Sequence, residues 1–259
     1  MIIKKKQISN NSIPKNLIGV YYFISSDDKI IYIGKSIDIK KRIEQHMRNG
    51  RKRMILRFDK LKITKLSTEL EALLFESQEI KKHKPIFNRR LRRQKNMFSL
   101  FHETNKYSYP IYSIGKVDDN SLINFMSKRQ AKIFLERISK RFNLCDKLNG
   151  LENTKKCCFK YHLKICKGAC ICNEKLKHYK KRFNESLSYI FKFPNNCKIT
   201  FYENNLKTEV SILNNHIVEF GIKNKKKYNI EFNSYDEMRI VKGYHRKYPE
   251  KLLEIKKLN

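Results

Sequence analysis

The sequence predicts an α+β fold. A small α/β unit with a three-stranded antiparallel sheet and flanking helices comes first, then a helical cysteine-rich region, then a β-hairpin-rich C-terminal part. Three observations predict it. Two runs rich in β-branched and aromatic residues flank a short polar turn near the start. Apolar residues at helical spacing follow a Thr–Glu capping pair. Beyond Pro194 the pattern changes to short alternating runs separated by Asn-Asn pairs. The expected domains are 1–97, 98–193 and 194–259.

Taken in order, Gly19-Val20-Tyr21-Tyr22-Phe23-Ile24 and Lys29-Ile30-Ile31-Tyr32-Ile33 read as paired strands, turning at Ser25-Ser26-Asp27-Asp28. Residues 38–49 read as a helix ending at Gly50, with Ile39, Ile43 and Met47 on one face. A third short strand is expected near residues 61–66. Thr68 and Glu71 then cap a helix carrying Leu70, Leu73, Leu74 and Ile80, which Pro85 stops. Residues 128–142 form a helix with Ala131, Phe134, Leu135 and Ile138 inward, and a basic helix spans about 174–191. Strands are expected at 198–202, 208–213, 216–221 and 228–232, with Asn204-Asn205 and Asn214-Asn215 in the turns.

Charge narrows the function. Fifty-eight basic residues against 25 acidic ones give +33, an excess that repels itself and is relieved by a polyanion. Lysine-rich composition explains the 43 Lys among those 58, but not a twofold excess over acids. Nucleic acid is the expected partner, through neutralised phosphates and released counterions. An anionic membrane surface ranks behind it. No window approaches the roughly 18 uncharged apolar residues of a membrane-spanning helix. The first residues, Met1 to Lys6, show no apolar stretch behind their charges, so a cytoplasmic location without a secretory signal is expected. The run from 81 to 95 holds eight basic residues and no acidic one. Such a run is usually a solvated face. Here Lys81, Lys82, Arg89, Arg90, Arg92 and Arg93 are candidates for a phosphate track.

Gly19-Val20-Tyr21, a ten-residue spacer from 22 to 31, and Tyr32-Ile33-Gly34 resemble the paired motif of the GIY-YIG nucleases. Lys35 follows directly, Arg42 lies seven residues on, and His46 comes one helical turn later. Glu71-Ala72-Leu73-Leu74-Phe75-Glu76 and Lys81-Lys82-His83-Lys84-Pro85-Ile86-Phe87-Asn88 look like the matching stretch of UvrC-type nuclease domains. Each residue alone would be ordinary: a packing Tyr, a solvated Arg, an exposed helical Glu. As an ordered set they carry the resemblance, which implies catalytic roles for Tyr21, Tyr32, Lys35, Arg42, His46, Glu76 and Asn88.

Phosphodiester hydrolysis needs an activated water, charge stabilisation at the phosphate and help for the leaving oxygen. Glu76 is the sole carboxylate of the matched set and would hold one Mg²⁺ or Mn²⁺, which keeps most of its waters. Arg42 offers a planar, permanently charged fork for phosphate oxygens, and His46 lies one turn away on the same helical face. The resemblance implies that a motif tyrosine helps deprotonate water. Tyr32 assisted by Lys35 is the first choice, with Tyr21 and His46 as competitors, since a phenol near pKa 10 needs a neighbouring cation. Asn88 would position metal or phosphate indirectly.

Five cysteines fall between Cys157 and Cys172, and seven cysteines in a reducing compartment point to metal ligation rather than disulfides. The segment from Phe142 to Cys145, followed by Cys158 to Cys170, looks like the cysteine-rich region of UvrC proteins. That resemblance implies a 4Fe-4S cluster on Cys145, Cys158, Cys166 and Cys170, with Zn²⁺ as the alternative. Cys157 could replace Cys158, Cys172 is a spare, and reduced packed thiols are the bland reading.

In layout the chain resembles the short, single-nuclease members of the UvrC family. This implies an excision-repair endonuclease, loaded by UvrA and UvrB, that cuts once on the 3′ side of a lesion. Two alternatives stay open. One is a branched-DNA or homing-type nuclease with a zinc site, the other a non-catalytic DNA-binding protein.

Overall fold

The computed structural model describes residues 1–8, 12–49, 52–88, 97–118 and 120–258. It contains β1 (Ile2–Lys4), β2 (Gly19–Ser25), β3 (Ile30–Ser36), α1 (Ile39–Asn49), α2 (Lys52–Arg57), β4 (Phe58–Lys65) and α3 (Glu69–His83). Next come β5 (Phe98–Thr104), β6 (Pro110–Lys116), β7 (Ile123–Phe125), α4 (Lys128–Arg141), α5 (Phe159–His162) and α6 (Leu176–Ile190). Last are β8 (Cys197–Glu203), β9 (Leu206–Leu213), β10 (His216–Ile222), β11 (Lys227–Asn229), α7 (Tyr235–Lys247) and β12 (Leu252–Lys257). Two compact units result, one from 1–93 with 196–259 and the other from 94–195. The three segments expected along the chain thus become two bodies, because the first and third pack together.

In the first unit the expected three strands gain β1 at one edge, giving the antiparallel order β1-β4-β2-β3. Alternation along β2 supplies two cores. Tyr21 and Phe23 face Ile39, Ile43, Met54 and Phe58, whereas Val20 and Tyr22 face Ala72 and Ile80. Gly19 is required by close approach: a Cβ there would lie 2.2 Å from the Thr64 carbonyl oxygen across the sheet. Thr68 caps α3 by accepting from Glu71 N–H at 3.3 Å. The Glu71 carboxylate reaches one residue past the cap, to Ser67 N–H at 2.7 Å. Lys84 closes the helix in a left-handed conformation (φ 48°) just before Pro85. The expected helix end at Gly50 lies outside the described residues.

The C-terminal segment brings a second antiparallel sheet, order β11-β10-β9-β8-β12, to the same unit. Its contacts converge on α3. Thr68 and Thr208 hydroxyls meet at 2.9 Å, and Glu69 N–H donates to Glu203 Oε2 at 3.0 Å. Lys81 is fully buried against α7, donating to Ser234 Oγ at 2.8 Å and pairing with Glu237. Glu237 also accepts from Ser77 Oγ at 2.7 Å and Gln78 Nε2 at 2.8 Å.

The second unit holds a three-stranded antiparallel sheet, β6-β5-β7, which the helices expected in the middle region did not include. The Tyr112 ring stacks on Phe183 at 4.4 Å, and its hydroxyl meets Ser186 Oγ at 2.8 Å, which docks α6 on β6.

Candidate functional site

β3 is an edge strand, and its outward backbone groups are sealed on alternate residues. Phe87 N–H donates to Ile31 O at 3.0 Å. Asn88 brackets Ile33, accepting its N–H at 2.9 Å and donating to its carbonyl at 2.8 Å. Lys35 N–H donates to Glu76 Oε1 at 3.0 Å. A strand edge needing partners therefore fixes two of the expected site residues. Asn88 thus holds the Tyr32–Gly34 backbone through Ile33. Asn88→Ala should loosen that edge and cost about 1–2 kcal/mol, since it strands a donor and an acceptor; urea unfolding measures it.

Tyr21 lies across the hairpin from Gly34, and its ring covers that glycine. A Cβ on Gly34 would sit 2.4 Å from the Tyr21 hydroxyl oxygen. The glycine makes room for the phenol to reach His46 Nε2 at 2.8 Å. Tyr32 shares this face, its ring 6.1 Å from Tyr21 and 5.4 Å from His46. Burial, then the neighbouring Tyr32, push the Tyr21 phenol above its ordinary range, against an opposing pull from Arg42. Contact with the same phenol raises Arg42. Gly34→Ala is expected to displace the Tyr21 hydroxyl and destabilise the unit by about 1–3 kcal/mol, read as a lower melting temperature.

The expected pairing of Lys35 with Tyr32 is corrected. Three residues apart on one strand, they point to opposite faces. The Lys35 ammonium pairs with Glu69 Oε1 at 2.6 Å, and Tyr248 donates to Glu69 Oε2 at 3.1 Å. Burial alone would raise the Glu69 carboxyl, but Lys35, joined by Lys247 and Tyr248, outweighs it and holds it below the usual range. Glu69 and Tyr248 escaped sequence reading because no motif contains them. An acid in the first turn of a helix is ordinarily a helix-dipole partner, so Glu69 carries no distinguishing signal.

Burial pushes the Glu76 carboxyl up to about 7, despite the Lys35 N–H and the Lys35 and Arg42 charges. An acid raised from 4.5 keeps its proton in the fold after the unfolded chain has lost its own. Stability therefore falls as pH rises from 4.5 through 7, by on the order of 3 kcal/mol. Glu76→Gln should remove that penalty and melt several degrees higher at pH 8 in EDTA, with no gain at pH 4. An unchanged melting temperature at pH 8 would contradict a carboxylate whose burial is only partly compensated.

Two other expectations change. Lys81 was a phosphate-track candidate, yet it is buried and neutralised by Glu237, so it cannot reach a ligand. Arg182, in the basic helix expected at about 174–191, is held within its own unit: it pairs with Glu174 and donates to the Phe142 and Asn143 carbonyls. Lys82 is exposed and pairs with Glu231 at 3.1 Å. Arg89, Arg90, Arg92 and Arg93 lie outside the described residues.

In the second unit Cys145, Cys158 and Cys166 bring their sulfurs within 4.8 Å of one another. Cys158 N–H donates to Cys170 Sγ at 3.4 Å, placing the fourth candidate beside them. A hydrogen bond from Cys145, then the Gly168 N–H, pull the Cys166 thiol below its ordinary range, whereas burial lifts Cys158 above it. The donor set suits a soft metal or cluster. Cys157 is turned away to His162 Nε2 at 3.2 Å, which disfavours it as a replacement ligand.

Comparison with known proteins matches the first segment of unit one and most of unit two. Residues 17–89 match the UvrC-like GIY-YIG domain, and residues 78–189 match the UvrC/Cho excinuclease middle domain. Excinuclease Cho of Salmonella typhi is 34% identical over 180 residues, 66% of this chain and 60% of that protein. UvrABC system protein C of Fervidobacterium nodosum is 30% identical over 187 residues, 66% of this chain and 31% of that protein. The chain thus spans less than two thirds of either relative. A point mutant of the GIY-YIG N-terminal endonuclease domain of Thermotoga maritima UvrC, bound to its catalytic divalent cation, is 29% identical. That likeness covers 29% of this chain and 87% of that one, at a TM-score of 0.28. Among the described residues no helix is long and apolar enough to cross a membrane. Across residues 17–189 the chain thus carries a UvrC-like GIY-YIG domain followed by a UvrC/Cho excinuclease middle domain.

Proposed function

We propose that this chain is a DNA endonuclease of excision repair that hydrolyses one phosphodiester bond on the 3′ side of a lesion after UvrA and UvrB have found it. The observation that carries the catalytic part is the Tyr21–His46 contact of 2.8 Å, set beside Arg42, whose charge also acts on the Glu76 carboxylate. The two matched domains support the repair setting.

Glu76 would hold one Mg²⁺ or Mn²⁺, which when bound supplies charge at the phosphate and at the leaving oxygen. The site fits one such ion: a partly buried carboxylate with one oxygen fixed by the Lys35 N–H and no second carboxylate in the matched set. Tyr21, rather than Tyr32, is the residue we place on the attacking water. With its proton on Nδ1, His46 accepts the Tyr21 O–H at Nε2, so the phenol can pass a proton on as it takes one up. No free phenolate is then needed, which suits a buried phenol whose ionisation is opposed. Arg42 engages phosphate oxygens, and Lys35 holds Glu76 through its N–H and Glu69 through its ammonium. In the second unit Cys145, Cys158, Cys166 and Cys170 would hold a 4Fe-4S cluster. Zinc would leave the protein colourless, whereas a cluster gives iron and visible absorbance.

The test is incision of an end-labelled, lesion-containing duplex with Mg²⁺, with and without UvrA and UvrB. One partner-dependent cut 3′ to the lesion is the expected result. Cutting of branched or undamaged DNA without partners would transfer the chain to the homing-type reading. Loading without any cut would transfer it to the binding-protein reading.

A further inference from the structure

The loop over the cysteine sulfurs turns apolar residues outward. Cys158, Cys166 and Cys170 gather their sulfurs inside, and a chain neighbour of each, Phe159, Ile165 and Ile171, is 63%, 51% and 44% exposed. Leu163 is 52% exposed. The residues between 159 and 171 thus display four large apolar side chains while sulfur occupies the space beneath. An exposed cluster of this kind marks a contact surface.

Local geometry groups three of them. The single turn α5 and its cap place Phe159 and Leu163 four apart on one side, with Leu163 N–H on the Phe159 carbonyl at 3.3 Å. The N–H groups of Ile165 and Cys166 both donate to the Lys160 carbonyl at 2.9 Å, folding Ile165 back beside that turn. The base is fastened by Lys160 to Asp146 at 2.8 Å. It is fastened also by Glu152, which accepts the Phe159 N–H at 2.8 Å.

Charge selects the occupant. Residues 153–173 contain five lysines and no carboxylate. Lys155, Lys156, Lys164 and Lys167 are exposed around the apolar group. Lysines hold phosphates, and Phe, Leu and Ile are the side chains that wedge between base steps. We propose that this tip is a DNA-inserting wedge, in which Phe159, Leu163 and Ile165 press into a weakened base step while the surrounding lysines grip the flanking phosphates. It rests on the reading above only in taking DNA as the substrate.

The experiment uses the full chain carrying Glu76→Gln, with fluorescence anisotropy across a salt series on a fully paired duplex and on one with a two-base bubble. Phe159→Ser with Ile165→Ser should weaken bubble binding about tenfold and leave the salt slope unchanged, because apolar contacts release no counterions. Lys164→Ala with Lys167→Ala should weaken both duplexes and lower the slope by about 2. Phe159→Leu, which keeps an apolar side chain, should retain binding. An unchanged melting temperature separates a lost wedge from a lost fold. Bubble affinity within twofold of the parent for the Ser double variant would overturn the wedge and assign the patch to a protein surface. Since this readout contains no cleavage step, failure of the incision assay leaves it standing, and its own failure leaves incision untouched.

Discussion

Glu76→Gln is expected to reduce DNA cleavage by about 10³-fold or more while leaving DNA affinity within a few-fold of wild type. The substitution is nearly isosteric, and the amide oxygen can still accept the Lys35 N–H that Glu76 Oε1 accepts at 3.0 Å. The edge of β3 therefore stays closed and the fold is preserved. What disappears is the single negative charge of the matched set, and with it the hold on a divalent cation. DNA affinity rests on other residues, because a carboxylate contributes only repulsion to a phosphate. Single-turnover cleavage at saturating enzyme, beside anisotropy on the same duplex, separates the two quantities. A variant that cuts within tenfold of wild type would remove Glu76 from the mechanism.

Lys81→Ala should destabilise the first unit by about 3–5 kcal/mol, whereas Lys82→Ala, one residue away, should cost no more than about 1. The contrast follows from surroundings. Lys81 and Glu237 are both completely buried, and deleting the cation leaves a carboxylate in the interior with only neutral donors, Ser77, Gln78 and Ser234. Lys82 and Glu231 meet at 3.1 Å in solvent, about half exposed each, where water replaces the lost partner. Urea unfolding of both variants measures the difference. Equal, small effects would mean that the buried pair contributes little to joining α3 and α7.

The motif residues were legible because chemistry and spacing survive in one dimension. Tyr21, Arg42, His46 and Glu76 were found as a set, and the hairpin, α1 and α3 were found from alternation and capping. Roles set by direction were not. The face to which Lys35 points depends on strand parity in a hairpin whose register is known only in the structure. Lys81 read as surface because a run of basic residues conceals the one that a distant Glu237 neutralises. The strands β5 to β7 were missed because the polar stretches of sequence at 105–108 and 117–121 break the run of alternating residues. α7 was missed for a different reason: its apolar stripe of Met238, Val241 and Tyr244 is thin and crossed by lysine and arginine. The union of the first and third segments has no local signal, since it rests on pairs such as Thr68 with Thr208.

That union has a consequence for how the protein is made. The helix bearing Glu76 is complete by His83, but the partners of its buried face, Glu203, Thr208 and Glu237, are translated more than a hundred residues later. At about 5–20 residues per second the ribosome needs on the order of 10 s to cover that distance. During this delay Lys81 has no carboxylate to bury against, and Lys35 and Glu69 wait for Tyr248. The residues that would cut DNA are thus synthesised early and locked late, and a nascent chain on its ribosome carries the motif before it carries the finished site.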